Sequence, residues 1–293
     1  MEIINRRKRM MSVARKLRRE ENRTIGLVPT MGALHEGHLS LIHEARALCD
    51  VVVVSVFVNP AQFGPTEDFN SYPRDLTRDA ALLAEYNVDY VFAPALAEIY
   101  PPGFSTYVTV EGLSNELEGA ARPGHFRGVT TVVTILLNAV RPNFAFFGQK
   151  DAQQSIIIKQ LVRDLAFDTE VVVLPIVREE SGLAMSSRNA YLNDEQRPAA
   201  TVLNRALASA SEAYEAGENS ATRLIELVRS MVEKEPLARI DYVSINDNET
   251  LEVLEKVDER PALLSAAVFI GNTRLIDNVV LGKSKKNAVS ASA

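Results

Sequence analysis

The 293-residue sequence contains one cysteine, Cys49, and no tryptophan. A single cysteine excludes an intrachain disulfide and fits a reducing cytosol. Long apolar runs are also missing, since the longest, at 51–58, is far shorter than the ~18 residues that a membrane span needs. No apolar segment with a small-residue cleavage site follows the basic N-terminus, as a secretory signal would require. We therefore expect a cytoplasmic protein that does not enter a membrane.

An excess of positive charge is missing as well. Lysine and arginine number 32 against 38 aspartates and glutamates, a formal net charge of -6. An acidic chain gives no electrostatic reason to expect nucleic acid as a partner. The basic run at 6–9 is the exception, and we interpret it as the solvated side of a helix that has Ile3, Ile4, Met10, Met11, Val13 and Leu17 on its apolar side. A transit peptide or a nucleic-acid arm is the alternative.

Two common nucleotide-binding loops are absent from the sequence. It has no Gly-x-x-x-x-Gly-Lys-Ser/Thr segment and no Gly-x-Gly-x-x-Gly segment after a strand. A nucleotide site in this chain must therefore be built in another way.

Strand and helix patterns alternate over the first part of the chain. Short apolar runs predict strands at 25–29, 51–58, 88–94, 144–147 and 170–177. Periodic segments between them predict helices at 38–50, 76–86, 128–140 and 152–165. Strands joined by helices of this length predict an α/β domain with a doubly wound parallel sheet, here assigned to residues 1–177.

The pattern changes after residue 178. Helices are predicted at 194–216 and 221–235, and strands at 240–246, 264–269 and 273–280. These elements predict a smaller α+β domain over 178–282. The small and polar residues 283–293 predict a disordered tail.

Ligands of doubly wound sheets bind at the carboxyl ends of the strands, and the first such end carries paired histidines. The segment Pro29-Thr-Met-Gly-Ala-Leu-His35-Glu-Gly-His38 opens a predicted helix. A helix N-terminus favours phosphate, and a histidine there can add a hydrogen bond or a proton. Zinc is the obvious alternative. The zincin pattern needs two residues between glutamate and the second histidine, however, and this segment has one. A third reading is two histidines satisfied within a loop.

Three further strand ends carry polar side chains. Asn59 and Gln62 present neutral amides that can bind hydroxyl and carboxylate groups. Phe147-Gly-Gln-Lys-Asp-Ala-Gln-Gln154 places Lys150 as a phosphate-sized charge and Asp151 as a helix cap or ribose partner. Ala184-Met-Ser-Ser-Arg-Asn189 suits a mobile phosphate clamp. Turn-forming amides and a surface turn are the alternatives for the first and last of these segments.

Together these segments resemble a known family. His35-Glu-Gly-His38 resembles the His-x-Gly-His signature of the nucleotidylyltransferase superfamily, and Met185-Ser-Ser-Arg188 resembles its second signature. The longer strings 28–38, 57–63, 146–151 and 182–189 are similar, in order, to pantothenate synthetases, and so is 273–278. The resemblance implies a Rossmann-like domain with a C-terminal lid domain, a homodimer, and ATP-dependent condensation of (R)-pantoate with β-alanine through a pantoyl adenylate, with release of AMP and pyrophosphate.

The resemblance also implies roles for residues. His38, His35, Lys150 and Arg188 would be catalytic, with His38 the proton donor. ATP would bind to Met31, Gly32, Ala33, Leu34, His35, Glu36, Gly37, His38, Gly148, Gln149, Lys150, Asp151, Val177, Met185, Ser186, Ser187 and Arg188. Gln62 and Gln154 would hold pantoate, and Asn59, Tyr72 and Arg122 would line the same cleft. No protein metal site is expected, since Mg²⁺ would be held mainly through ATP.

Gln149 and Ala152 depart from the family pattern, which has glutamate and an aromatic residue there more often. Both adjoin Lys150 and Asp151, so they bear on the shape of the cleft. The alternative functions are another nucleotidylyltransferase of the superfamily, a tRNA synthetase, and a nucleotide-binding regulator without turnover. The short acidic chain does not favour a tRNA synthetase.

Overall fold

The computed structural model describes residues 1–65 and 67–282. Two compact units divide the chain. The first comprises Met1–Glu179 and Ala184–Ser187, and the second comprises Glu180–Leu183 and the chain from Arg188 onward. The chain thus first leaves the first unit after Glu179, two residues beyond the domain boundary predicted at 177. The lid role of 178–282 stays a prediction, and the predicted tail at 283–293 lies outside the described residues.

The first unit contains a parallel sheet of six strands. Its strand order is β1-β4-β3-β2-β5-β6, and every neighbouring pair is parallel. The valine-rich strand β3 is buried on both faces, which is typical of parallel sheets covered by helices. The strands are β1 (Glu2–Ile4), β2 (Ile25–Thr30), β3 (Val51–Val56), β4 (Tyr90–Phe92), β5 (Phe144–Gly148) and β6 (Glu170–Leu174).

Helices cover both faces of this sheet, which confirms the predicted doubly wound architecture. One apolar core joins the sheet to α1, α6 and α7, and the other joins it to α2 and α3. The helices are α1 (Arg7–Arg19), α2 (Glu36–Leu48), α3 (Leu76–Glu85), α4 (Leu96–Ile99), α5 (Leu117–Ala121), α6 (His125–Val140) and α7 (Ala152–Asp164).

The strand order fixes where a ligand can bind. From β2 the chain continues to β3 and β4 on one side of the sheet, and it later returns to β5 and β6 on the other side. The reversal leaves a crevice at the carboxyl ends of β2 and β5, where doubly wound sheets bind their ligands.

The second unit is an α+β layer, as predicted. Strands β7 (Ala238–Asp247), β8 (Ala262–Ile270) and β9 (Thr273–Leu281) form an antiparallel sheet. Helices α8 (Gln196–Ala200), α9 (Val202–Glu215) and α10 (Ala221–Val232) contribute to an apolar core with that sheet. Among the helices of residues 1–65 and 67–282, none has the length and apolar character needed to cross a membrane.

Two predicted elements were wrong in detail. Ile3 and Ile4 belong to β1, which pairs with β4, and not to the apolar side of α1. The predicted helix at 194–216 is broken at Thr201, whose backbone N–H bonds to the Pro198 carbonyl three residues earlier. A continuous α-helix would bond this N–H to the carbonyl of Arg197, four residues earlier, so the α-helical pattern is interrupted at Thr201 by one 3-10 bond.

Candidate active site

The loop that follows β2 turns through two consecutive left-handed residues. Gly32 has φ +83° and Ala33 has φ +51°. A Cβ on Gly32 would lie 2.8 Å from Asp79 Oδ2, so both conformation and space call for glycine there. The loop therefore brings its backbone close to α3.

Asp79 of α3 anchors this loop. Its carboxylate is 1% exposed and accepts the N–H groups of Ala33 and Leu34, each at 3.0 Å. These two backbone N–H groups therefore donate to Asp79 and not to a ligand. Sequence reasoning missed Asp79, although a carboxylate four residues before the buried Leu83, on the buried side of a helix, is an available signal.

His35 and His38 cap the N-terminus of α2. His35 Nδ1 accepts the Gly37 N–H at 3.2 Å, and His38 Nδ1 accepts the His35 N–H at 3.4 Å. The rings are tilted, with centroids 4.1 Å apart. Because each Nδ1 accepts a backbone hydrogen, each neutral ring carries its proton on Nε2.

Both histidines have lowered pKa values. Burial, then the charge of Lys150, lowers the pKa of His35 to about 4. Burial, then the neighbouring His35, lowers the pKa of His38 to about 3. Without a nucleotide, both rings are therefore neutral near pH 7.

The segment after β5 lies close enough to act on the same histidines. Residues 149–151 form one 3-10 turn between β5 and α7, and Lys150 Nζ lies 3.5 Å from Asp151 Oδ1. The charges of both side chains influence the pKa of each histidine. The crevice between β2 and β5 therefore brings together two of the predicted segments, the histidine segment 29–38 and the segment 147–154.

The fourth segment also approaches the first. The Met185 N–H bonds to the Val177 carbonyl at 3.0 Å, and Ser187 Oγ donates to the Ala33 carbonyl at 3.3 Å. Arg188 begins the next stretch of the second unit.

The second segment forms a hydrogen-bonded group around Asn59, which is 1% exposed. Asn59 Nδ2 donates to Gln62 Oε1 at 3.0 Å and to the Gly128 carbonyl at 3.1 Å. Asn59 Oδ1 accepts the Tyr100 hydroxyl at 2.7 Å. With its oxygen taken by Asn59, Gln62 directs Nε2 to Met31 Sδ at 3.4 Å.

Gly128 permits the close packing of α6 against this group. A Cβ on Gly128 would clash with the carbonyl of Ala61, in the 3-10 turn Pro60–Gln62. No side chain fits between the helix and the turn, so the turn is held tightly on α6.

Arg122 and His125 lie on the backbone side of Gln62. His125 Nδ1 is 2.8 Å from the Gln62 carbonyl, and His125 Nε2 is 3.1 Å from Arg122 Nη1. Arg122 also makes a bidentate ion pair with Glu67, with both nitrogen–oxygen distances at 2.7 Å. Sequence reasoning missed His125, Glu67 and Tyr100, because no strand end or signature marks them.

The remaining predicted residues have separate positions. Tyr72 is buried and makes an edge contact with Phe63 at 5.9 Å between ring centroids. Gln154 is half-buried in the first turn of α7, and its side chain has no hydrogen-bond partner among residues 1–65 and 67–282. Gln154 therefore has its amide available for a ligand.

A cavity of about 320 Å³ lies beside the histidine loop, at the carboxyl ends of β3 and β4. Its wall is mainly apolar and includes Met31, Gly32, Val56, Phe57, Phe69 and Leu96. Over the described part of the chain, no three His, Cys, Asp or Glu side chains are grouped to hold a metal ion.

Sequence comparison identifies relatives over nearly the whole chain. A family model described as Pantoate-beta-alanine ligase matches residues 2–280. The pantothenate synthetase of Pelotomaculum thermopropionicum is 57% identical over 265 residues, which cover 90% of this chain and 94% of that protein. The pantothenate synthetase of Thermosipho africanus is 52% identical, with 96% and 100% covered.

Solved structures agree with the sequence comparison. Pantothenate synthetase from Thermus thermophilus matches with a TM-score of 0.90 and 45% identity, covering 95% of this chain and 99% of that one. Pantoate-beta-alanine ligase from Francisella tularensis, in a complex with "Beta-gamma ATP" and β-alanine, matches with a TM-score of 0.79 and 36% identity, covering 96% and 97%. By sequence and by fold, this chain belongs to the pantoate-beta-alanine ligase family.

Proposed function

We propose that this chain condenses pantoate with β-alanine in an ATP-dependent reaction that forms pantoyl adenylate and releases AMP and pyrophosphate. The observation that carries the proposal is the convergence of His35, His38, Lys150 and Ser187 on one crevice, in a member of this family. The Francisella relative with a bound ATP species and β-alanine supports the same two substrates.

In the first half-reaction, a pantoate carboxylate oxygen attacks the α-phosphorus of ATP. The bond from that phosphorus to the bridging oxygen breaks, and pyrophosphate leaves with the electron pair. The protein contributes position and charge stabilisation. We assign Lys150, Arg188 and the N-terminus of α2 to the phosphate charge.

The neutral histidines define their own part in this step. In each ring Nε2 carries the proton, so each can donate a hydrogen bond to a phosphate oxygen without being an imidazolium beforehand. The negative triphosphate would raise both pKa values when it binds. His38 then donates a hydrogen bond or a proton as pyrophosphate leaves.

Two glutamines would bind pantoate. Gln62 offers Nε2–H donors because Asn59 holds its oxygen, and Gln154 has its whole amide available. Donors of this kind fit the hydroxyl and carboxylate oxygens of pantoate. Since Asn59 already bonds Gln62, Tyr100 and Gly128, we assign it to orienting Gln62.

In the second half-reaction, the β-alanine nitrogen attacks the carbonyl carbon of the adenylate. The carbon–oxygen bond to the phosphate breaks, AMP leaves with the electron pair, and the nitrogen loses a proton. The segment around Met185–Ser187, close to Ala33, would help to exclude water from the adenylate.

Mg²⁺ would be held mainly by the phosphate oxygens of ATP and by water, because this ion binds readily to phosphate and keeps several of its waters. When bound, it neutralises phosphate charge. No step proposed here depends on a metal ligand from the protein.

We further propose a cytoplasmic homodimer. Residues 105–110, Ser-Thr-Tyr-Val-Thr-Val, are rich in β-formers, and Tyr107 is exposed. The Val108 N–H donates to Thr131 Oγ1 and the Val108 carbonyl accepts from Thr130 Oγ1, both on α6, so one side of the segment is bound to the first unit and a copy in a second chain would pair with the other side. Light scattering after size exclusion gives the mass, and a monomer at every concentration would contradict the dimer.

The decisive experiment is isotope exchange between pyrophosphate and ATP, with Mg²⁺ present and β-alanine absent. Exchange that requires pantoate establishes a reversible pantoyl adenylate. AMP release on adding β-alanine then separates a ligase from a nucleotidylyltransferase that keeps its adenylated product. No exchange from folded protein would favour a nucleotide-binding regulator.

A further inference from the structure

His125 is a partly buried histidine that the reaction above does not use. It is the first residue of α6 and lies between the backbone of Gln62 and the guanidinium of Arg122. The charged side chains around it are Arg122, Glu67 and Glu118. We call these four residues the His125 cluster.

The partners of His125 fix its tautomer. The guanidinium of Arg122 has only donors, so His125 Nε2, at 3.1 Å from Arg122 Nη1, must accept. The carbonyl of Gln62 only accepts, so His125 Nδ1, at 2.8 Å from it, must donate. Both ends of the ring lead independently to a neutral imidazole with its proton on Nδ1.

Arg122 is held in place by acidic side chains. Glu67 binds its Nε and Nη2 in bidentate fashion at 2.7 Å each, and Glu118 Oε2 lies 3.8 Å from Nη1. A bidentate pair fixes the plane of the guanidinium as well as its position. The nitrogen that faces His125 is therefore always a donor.

The geometry points to a role for this arrangement: we infer that His125, as the Nδ1–H tautomer selected by Arg122, is a positioning residue that fixes the Gln62 backbone for pantoate binding. The inference rests on the proposed function. Gln62 is then held at its carbonyl by His125 and at its side-chain oxygen by Asn59, with Nε2 directed to Met31 Sδ in the histidine loop. Arg122 Nη2 donates a longer bond, 3.5 Å, to the same carbonyl, so loss of the His125 contact removes the shorter of the two bonds and leaves the position of Gln62 less well defined.

Protonation would break the arrangement. A second proton on Nε2 would face Arg122 Nη1, and burial, followed by the charge of Arg122, lowers the pKa of His125 to about 4. Glu118 and Glu67 oppose this effect but do not outweigh it. His125 thus stays a neutral donor throughout the range in which the enzyme would work.

Two isosteric variants test the inference. Asparagine places its amide nitrogen near the position of Nδ1, whereas glutamine reaches the position of Nε2. His125→Asn should keep the apparent KM for pantoate in pyrophosphate exchange within about threefold of wild type, and His125→Gln should raise it about tenfold or more. The apparent KM for ATP should be unchanged in both, and the exposed His43→Asn on α2 is the matched control.

The comparison distinguishes positioning from mere stability. If folded His125→Asn and His125→Gln share the wild-type KM for pantoate, or if both variants shift the KM for pantoate and ATP alike, the inference is overturned. Circular dichroism establishes the folded fraction of each variant.

A second measurement uses the unaltered protein and does not depend on turnover. Nitrogen-15 NMR of the histidine rings should show His125 protonated on Nδ1 and unprotonated on Nε2 at pH 7, and the opposite tautomer would overturn the inference even if the variants fail to fold. Wild-type protein without pantoate-dependent exchange would instead contradict the proposed function, and the tautomer could still be determined.

Discussion

Two groups of histidines in the first unit are both neutral yet built in opposite ways. In the pair His35 and His38, backbone N–H groups at the start of α2 donate to Nδ1, so the proton lies on Nε2. At His125, a guanidinium faces Nε2 and a backbone carbonyl faces Nδ1, so the proton lies on Nδ1. The first arrangement leaves a donor for a ligand, whereas the second uses its donor to hold the protein. The partners of the ring, and not its burial alone, therefore decide what a histidine can do.

The largest expected effect concerns the first group. His38→Ala removes the Nε2 donor, and we expect the rate of pantoate-dependent pyrophosphate exchange to fall by about 10²- to 10⁴-fold. Glutamine reaches the position of Nε2, so His38→Gln should keep more activity than His38→Asn, the reverse of the order expected at His125. His43→Ala is the control, and a near-normal rate for His38→Ala would disprove the assignment.

The second effect tests the orientation of Gln62. Asn59→Asp replaces the amide that donates to Gln62 Oε1 with a carboxylate that cannot donate. Gln62 should then turn its nitrogen toward residue 59 and its oxygen toward pantoate, and we expect the KM for pantoate to rise about 10- to 100-fold. Asn138→Asp, at an exposed position on α6, is the control. An unchanged KM in folded Asn59→Asp would mean that Gln62 is oriented without Asn59.

Residues of these two groups could be predicted from the sequence when they lie at strand ends, and were missed when they lie elsewhere. Strand ends of a parallel sheet meet at one edge, so residues such as His38, Gln62 and Lys150 could be assigned to one site before the fold was known. The helical period could mark Asp79 as buried, but the partners of Asp79 and His125 could not be predicted, because these contacts cross 46 and 63 residues of chain and depend on how α3 and α6 pack. Chain periodicity carries no information on such contacts.

The fold also contains elements that the sequence pattern predicted and one that it missed. The long alternating segments predicted the doubly wound sheet, because each strand and helix has its own apolar period. Strand β1 has three residues, too few for any period, and it exists through its pairing with β4. The sequence therefore predicts elements that are stable by pattern and misses those that depend on a distant partner.

The third effect concerns the support of the histidine pair. Asp79→Ala leaves the N–H groups of Ala33 and Leu34 without their buried partner, and we expect the free energy of unfolding to fall by about 2 to 4 kcal/mol. The loop that carries His35 should loosen, so the KM for ATP should rise about tenfold. Urea unfolding measures the free energy of unfolding, and pyrophosphate exchange kinetics measure the KM for ATP. Asp75→Ala removes only a helix cap on α3, so it should cost about 1 kcal/mol and leave the KM for ATP unchanged. Equal effects of the two variants would contradict the anchoring role of Asp79.

The smallest effect is the loss of one proton from the uptake that accompanies unfolding when His125 is replaced. Folding lowers the pKa of His35 and His125 to about 4 and that of His38 to about 3, against about 6.5 in the unfolded chain. Between these values the unfolded chain binds more protons, so the free energy of unfolding falls as pH is lowered from about 6.5 toward 4. Near pH 5, these three histidines should bind about three protons when the chain unfolds, and the two that remain in His125→Asn should bind about two. Urea unfolding at closely spaced pH values gives this uptake from the slope, with His43→Asn as the control. If His125→Asn keeps the wild-type slope, His125 is not held neutral by its cluster, and the two groups differ less than their geometry indicates.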